Sequence, residues 1–229
     1  QNPRDWWIGF CDAMDKLSIN HDLSQVLGLG LSGQMHGATL LDENDQVIRP
    51  AILWNDGRCE AQCKELEALV PNAREITGNI MMPGFTAPKL LWLKQYEPAN
   101  FARIAKVLLP KDYLRLLLTG DYASDMSDAS GTMWLDVKNR VWHTGLLAAC
   151  GLNESHMPRL FEGSQITGNL KSDIAQRWNL AAIPVIAGGG DNAAGAVGMG
   201  IVKPGQAMLS LGTSGVYFAV TQGFSANPE

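Results

Sequence analysis

The sequence predicts an α/β domain, and two stretches near its end support that prediction. The apolar run 184–187 is typical of a short buried strand. Three glycines, Asp191 and Asn192 separate it from the small apolar segment 193–199, which is typical of a tightly packed helix. A second glycine turn, 211–215, lies between the strand-like runs 207–210 and 216–220. Junctions between strands and helices are where α/β folds bind ligands.

Asp191 stands at the junction between the first strand and its helix. A carboxylate there, with the hydroxyl-bearing turn 211–215 after it, indicates phosphoryl transfer, because such turns hold phosphate oxygens. Two plainer roles stay open: Asp191 as a helix N-cap, and the turn as an ordinary hairpin. Gly188, Gly190 and Ala193 also match the dinucleotide pattern G-x-G-x-x-A. That pattern needs an acidic residue about 20 residues later, and none occurs before Glu229, which argues against it.

Composition and charge exclude several classes of function. The chain has 229 residues, of which 46% are hydrophobic and 18% charged, enough for one large domain or two small ones. The net charge of −5 gives no reason to expect nucleic acid or an anionic membrane as a partner. No apolar run approaches the roughly 20 residues that span a bilayer, and no signal peptide is recognisable. We therefore expect a cytoplasmic protein.

Four cysteines stand at positions 11, 59, 63 and 150. Cys59 and Cys63 are expected to share a helix face, but no histidine lies near them, so this is not a zinc pattern. Reduced thiols are the expected state.

Earlier in the chain, apolar spacing predicts alternating helices and strands. The helical spacing of Trp6, Phe10 and Leu17 predicts a helix over 5–17, with no cap ahead of it. Three strands, at 26–32, 39–42 and 47–54, are expected to form a meander. Further helices are predicted at 58–69, 89–95, 100–104, 111–118, 141–150 and around 174–178, and further strands at 107–110 and within 164–168.

Three polar segments are candidates for function or for capping. Gly33 and Gly37 bracket Gln34, Met35 and His36 on a loop after a strand. A structural histidine is the usual case, but this placement makes a functional role for His36 equally expected. Asp56 is expected to cap the helix at 58–69, and Arg58 to pair with it. The polar run 124–132 has two carboxylates three residues apart, and helix capping or turn formation is favoured over metal binding.

Six motifs together resemble the FGGY family of carbohydrate kinases, in both order and spacing. They are GQMHG (33–37), WNDGR (54–58), MMPGFTAPKLLW (81–92), SDMSDASGTMWLD (124–136), GGGDNAAGAVG (188–198) and LSLGTSG (209–215). The resemblance implies a ribonuclease-H-like, actin-type α/β domain with a mixed sheet and flanking helices. It implies phosphorylation of a sugar or polyol hydroxyl with ATP and Mg²⁺, in a cleft between two such domains. D-xylulose is the expected substrate, ahead of L-ribulose, glycerol and gluconate, and a non-catalytic sugar-binding module is the rival.

The resemblance also implies roles for single residues. Asp191 matches the general base that takes the proton from the sugar hydroxyl. Four positions match substrate contacts: Met35, His36, Asn192 and, more loosely, Phe85. Two positions match the turn that approaches the nucleotide phosphates: Gly212 and Thr213. No residue is matched to a metal ligand.

Two features of the family are not found in this sequence. Family members begin with a phosphate-binding hairpin, D-x-G-T-[ST], whose aspartate is implicated in Mg²⁺ binding, and nothing like it precedes Asp5. The second domain, with its adenosine pocket, would follow Glu229. Residues 1–229 are therefore expected to be most of the first domain, with negligible kinase activity alone. An unpaired sheet edge is expected to favour a homodimer.

Overall fold

A computed structural model describes residues 1–212 and 215–227 of the chain. The α-helices are α1 (Pro3–Asn20), α2 (Glu60–Leu69), α3 (Ala73–Thr77), α4 (Thr86–Tyr96), α5 (Pro98–Phe101), α6 (Pro110–Thr119), α7 (Met126–Ser130), α8 (Thr144–Ala149), α9 (Ser172–Arg177) and α10 (Asp191–Gly198). The strands are β1 (Leu29–Gly33), β2 (Thr39–Leu41), β3 (Lys106–Leu108), β4 (Ala123–Asp125), β5 (Leu135–Asp136), β6 (Val141–Trp142), β7 (Arg159–Phe161), β8 (Ile166–Asn169), β9 (Pro184–Gly190), β10 (Ala207–Leu211) and β11 (Gly215–Ala219).

The sheet that positions the site has the strand order β1-β9-β8. β9 runs parallel to β1 and antiparallel to β8, and Gly33 at the end of β1 stands opposite Gly190 at the end of β9. The remaining strands form two-stranded pairs: β2 with β3, β4 with β7, β5 with β6, and β10 with β11. The α/β class predicted from the sequence is therefore confirmed.

The first helix is capped, contrary to expectation. Asn2 is its N-cap, and the Asn2 side chain accepts a hydrogen bond from the Arg4 N–H. Pro3 follows in the first turn, where the missing N–H of proline costs nothing. An asparagine cap one residue before a proline is a recognisable signal that the sequence analysis overlooked.

The predicted meander is wrong. Residues 47–54 form no strand and make only two isolated bridges, Leu41 with Val47 and Ala38 with Ile52. The Asp42 carboxylate accepts the N–H groups of Asn44 and Gln46, which closes a tight turn after β2. β2 then pairs with β3, and β1 with β9, so sequence neighbours are not sheet neighbours here.

Two other local predictions also fail. The segment 141–150 begins as β6, and α8 starts only at Thr144, because the His143 imidazole caps it by accepting the Leu146 N–H. The N-cap of α2 is Cys59 rather than Asp56. The predicted pairing of Arg58 with Asp56 is confirmed, with nitrogen–oxygen distances of 2.7 and 2.8 Å.

Buried apolar clusters hold the sheet against its helices. One cluster packs α1 and α9 on the central sheet through Cys11, Leu31, Trp178 and Val185. A larger cluster joins α2, α4 and α8. All four cysteines are free and buried. Over the described residues, no helix is long and apolar enough to cross a membrane.

Candidate active site

Parallel pairing of β1 and β9 creates the candidate site. Both strands end at the same edge of the sheet, where Gly33 stands opposite Gly190. The segments that follow them, GQMHG after β1 and Asp191-Asn192 after β9, therefore leave the sheet side by side. This is the position at which ligands bind in open α/β sheets.

Two glycines of β9 are required because the strand comes very close to β1 and to the loop that follows β1. Gly188 has a φ of +76°, and a Cβ at this position would overlap the Leu31 carbonyl oxygen. A Cβ at Gly190 would lie 2.8 Å from the Met35 sulfur. These contacts give Gly188 and Gly190 a packing role in the strand.

Asp191 is the first residue of α10, and the N-cap is Gly190. Asp191 Oδ1 accepts the Asn192 N–H at 2.8 Å and lies 3.3 Å from Asn192 Nδ2. The N-cap alternative is thus wrong in position, although the carboxylate does accept one helix N–H. Asp191 is exposed, and its Oδ2 has no hydrogen-bond partner among the described residues. One oxygen is therefore held while the other is left to accept a proton.

His36 is half-buried and has a left-handed backbone, with a φ of 68°. Its Nδ1 lies 2.9 Å from the carbonyl oxygen of Gly131. A carbonyl only accepts, so we assign the ring proton to Nδ1 and leave Nε2 as an acceptor. Burial lowers the pKa of His36, against the opposing effect of the Gly131 carbonyl, and this favours the neutral ring. A Cβ at Gly131 would overlap the imidazole, so glycine is needed there.

The backbone of His36 is held by two residues of α4. Its carbonyl oxygen accepts from Thr86 Oγ1 at 3.1 Å and from Lys89 Nζ at 3.0 Å. Lys89 Nζ also donates to the Gly84 carbonyl at 2.5 Å, which ties the loop before α4 to the His36 loop. Phe85, the N-cap of α4, meets the His36 ring edge-on at a centroid distance of 4.8 Å.

Lys89 is fully buried, and within the described part of the chain its ammonium binds these carbonyls without an ion pair to a carboxylate. Burial lowers the pKa of Lys89 to about 8, although Cys59, Asp56 and Cys63 act in the opposite sense. Burying an ammonium that is bound by backbone carbonyls rather than by a carboxylate costs folding free energy. In return, Lys89 links the His36 loop to the loop before α4.

The predicted residues meet in two adjoining cavities. One, of about 500 Å³, is lined by Met35, His36, Trp54, Asp191, Asn192, Ser210, Leu211, Gly212 and Val216. The other, of about 380 Å³, contains Phe85 and shares His36 and Trp54 with the first. Six of the seven predicted site residues thus lie at one site. Thr213 lies outside the described residues.

Sequence reasoning missed several residues of this site. Trp54 lines both cavities and is half exposed, at 52%. Its signal was present, because it opens the WNDGR motif after an apolar run. Lys89 and Gly131 gave no such signal, since their contacts with His36 join distant segments.

Comparison with known proteins places the chain in a family. Residues 1–198 match the model of the FGGY family of carbohydrate kinases, N-terminal domain. The chain therefore belongs to the FGGY family of carbohydrate kinases, as its motifs indicated. The match ends before β10, so the boundary of the predicted single domain at 229 stays a prediction.

Within that family, several similar proteins are xylulose kinases. The chain is 62% identical to xylulose kinase of Escherichia coli (strain K12) over 229 residues, all of this chain and 47% of that protein. The crystal structure of a xyloylose kinase from Brucella ovis matches with a TM-score of 0.97 and 55% identity, over 100% of this chain and 48% of that one. The crystal structure of xylulose kinase from Rhodospirillum rubrum matches with a TM-score of 0.94 and 27% identity, with the same coverage.

Two conclusions follow from these likenesses. The fold is the ribonuclease-H-like, actin-type α/β fold expected from the motifs. The chain spans about half the length of the relatives that it matches.

Proposed function

We propose that the protein phosphorylates a ketopentose, D-xylulose, with ATP as phosphoryl donor, to give D-xylulose 5-phosphate. The observation that supports this most directly is the cleft in which Asp191, Asn192, Met35 and His36 converge. The identity of 62% to a xylulose kinase supports the choice of sugar. The six sequence motifs also resemble those of the FGGY family in order and spacing.

Asp191 is the proposed general base. Phosphoryl transfer to an alcohol needs the hydroxyl proton to be removed as the oxygen attacks the γ-phosphorus. Asp191 Oδ1 is oriented by the Asn192 N–H, so Oδ2 is the oxygen available for that proton. A positioned carboxylate typically contributes about 10²–10⁴-fold to such a step.

The other cleft residues are proposed to bind and orient the sugar. His36 presents Nε2 as an acceptor for a sugar hydroxyl, because its Nδ1 is committed to Gly131. Asn192 offers both donor and acceptor atoms. Met35, Phe85 and Trp54 supply apolar surface against the carbon face of the sugar.

The donor side of the cleft is formed by the strand and turn at Ser210, Leu211 and Gly212. Backbone N–H groups of glycine turns can hold phosphate oxygens, and Gly212 and Thr213 are proposed to approach the phosphates of ATP. Mg²⁺ would neutralise charge on the transferring phosphates. Among the described residues, no group of three or more His, Cys, Asp or Glu is placed to hold a metal ion, so we assign no Mg²⁺ ligand.

Assembly and location are expected from the sequence rather than from the site. β1 has a single neighbour, β9, among the described strands, and an edge strand of this kind favours pairing with a second copy. The homodimer and the cytoplasmic location stay predictions.

Substrate choice is tested with the complete gene product that contains this chain. ATP-dependent phosphorylation is measured with D-xylulose, L-ribulose, glycerol and gluconate under identical conditions. We expect D-xylulose to have the highest kcat/KM. A preference of about tenfold or more for another compound would reject the proposed substrate. Sugar binding without any ADP release would favour a binding module instead.

A further inference from the structure

One part of the motif at 124–136 is not used by the proposed reaction. Ser127, in α7, has its Oγ 2.5 Å from Asp125 Oδ1 and 3.2 Å from the backbone nitrogen of Gly190. Gly190 is buried and directly precedes Asp191. We propose that Ser127 is a positioning residue for Asp191, acting by accepting the N–H of Gly190. This inference rests on the function proposed above for Asp191.

The direction of both hydrogen bonds follows from the partners. Asp125 Oδ1 already accepts two backbone N–H groups, so it is the acceptor in this pair as well, and the Ser127 hydroxyl donates its proton to Asp125. The lone pairs of Ser127 Oγ are then left for the Gly190 N–H. The chain of donors is thereby fixed: Gly190 donates to Ser127, and Ser127 donates to Asp125.

Asp125 is itself held from several sides. Its Oδ1 accepts the N–H groups of Ser127 and Asp128 at 2.9 and 3.0 Å, which caps α7. Its Oδ2 lies 2.7 Å from Lys111 Nζ, and both side chains are buried. Ser127 Oγ, the acceptor of the Gly190 N–H, is therefore held in place by the buried ion pair of Asp125 and Lys111.

Other anchors hold β9 further from the reacting group. Arg115 donates to the carbonyl oxygens of Ile186 at 2.9 Å and Ala187 at 2.5 Å. Those contacts fix the middle of the strand, whereas Ser127 fixes its last residue. A Cβ at Gly189 would lie 3.2 Å from Ser127 Oγ, so the hydroxyl also packs against the turn itself.

Loss of the hydroxyl should act on turnover rather than on sugar binding. Without Ser127 Oγ, the buried Gly190 N–H loses this acceptor, and the turn can shift to find another. A displacement of about 1 Å at a reacting group costs about 10²-fold in rate. His36 and Phe85 have no hydrogen bond to Ser127, so their sugar contacts should survive.

The test compares Ser127→Ala with Ser130→Ala in the complete gene product. Ser130 lies on the same helix and donates to the Ser127 carbonyl at 2.7 Å, so it controls for α7 stability. We expect kcat of Ser127→Ala to fall by about 10–100-fold with KM for the sugar within about threefold. Ser130→Ala should stay within about threefold in both, and Ser127→Thr should recover most of kcat.

A second readout does not depend on activity. Hydrogen–deuterium exchange of the peptide spanning residues 188–194 should be faster in Ser127→Ala and unchanged in Ser130→Ala. If Ser127→Ala does not fold, Ser127→Cys replaces it, with a weaker acceptor of similar size and the same expected loss of kcat.

The outcomes separate this inference from the proposed function. If the wild-type protein phosphorylates the sugar and Ser127→Ala keeps kcat within about twofold, only the positioning role is overturned. Equal losses in Ser127→Ala and Ser130→Ala, or a loss confined to KM, would overturn it as well. If the wild-type protein phosphorylates no sugar, both the proposed function and this inference fail.

Discussion

Lys111 and Lys89 are both buried, but Lys111 faces three carboxylates whereas Lys89 faces two backbone carbonyls. Lys111 Nζ lies 2.6, 2.7 and 3.0 Å from Asp112, Asp125 and Asp128. Burial alone would lower the pKa of Lys111, but these carboxylates, Asp112 first, raise it above its ordinary value. Among the described residues, Lys89 Nζ has no carboxylate partner of this kind, and burial lowers the pKa of Lys89 to about 8.

The difference shows that one fold uses buried ammonium groups for two purposes. Lys111 neutralises the buried carboxylate of Asp125. Asp125 in turn holds Ser127, which accepts the N–H of Gly190 next to Asp191. Lys89 holds two cleft loops together through the carbonyls of His36 and Gly84. Removing the first should threaten the fold, and removing the second should mainly loosen the site.

The largest effect is expected from Lys111→Met. The substitution leaves Asp112, Asp125 and Asp128 buried without their ammonium, and breaking a buried ion pair from one side costs about 3–5 kcal/mol. The free energy of unfolding from urea titration should fall by that amount, with a clear loss in Tm. A loss below about 1 kcal/mol would show that the cluster is not an anchor.

A smaller effect is expected from Lys89→Met. The carbonyls of His36 and Gly84 lose the Lys89 donor, and leaving such a group unsatisfied typically costs about 1–3 kcal/mol. Because the His36 and Gly84 loops line the cleft, KM for the sugar should rise by about tenfold.

Lys94→Met is the matched control for that variant. Lys94 lies on the exposed side of the same helix, α4, so its replacement should leave KM unchanged. If KM for the sugar is the same in Lys89→Met and Lys94→Met, Lys89 does not hold the two loops in the geometry that binds the sugar.

The smallest effect is expected from Asp128→Asn. The Lys111 cluster holds two cations, Lys111 and Arg115, against three carboxylates, so it has one excess negative charge. Burial raises the pKa of Asp128 to about 7, although Lys111 opposes this. A neutral asparagine should therefore change stability by no more than about 1 kcal/mol near neutral pH.

The pH dependence of stability sharpens that prediction. The folded-state pKa of Asp128 is raised above its ordinary 3.8. Its protonated form therefore stabilises the fold fully below about pH 4, and that stability is lost as the pH rises through about 7. Urea midpoints measured from about pH 5 to pH 8 should decline less in Asp128→Asn than in the wild type. Parallel profiles would mean that Asp128 does not titrate in this range.

Local sequence signals predicted part of this architecture. The strand at 184–187, the helix at 193–199 and the hairpin strands at 207–210 and 216–220 all correspond to described elements, β9, α10, β10 and β11. Their signals are short-range: apolar runs, glycine turns and small residues. The meander failed because pairing of β1 with β9 joins segments about 150 residues apart, which no local pattern reveals.

The same limit applies to the site. Met35, His36, Asp191 and Asn192 each follow a glycine-marked strand end, and the parallel pairing of β1 and β9 brings them together. Their roles were predicted from the resemblance to the family and stay predictions. Helix capping within the polar run 124–132 was also predicted from the sequence, and Asp125 is indeed the N-cap of α7. Its pairing with Lys111, and the support of Gly190 by Ser127, depend on contacts between segments that only the fold brings together.

The most direct test of the account concerns Asp191 in the complete gene product. Asp191→Asn keeps the size of the side chain but cannot take the sugar proton. The rate of D-xylulose phosphorylation should fall by at least about 10²-fold, while calorimetry should give a sugar Kd within about threefold of the wild type. Retention of a tenth of the wild-type rate would contradict the assignment of Asp191 as the general base.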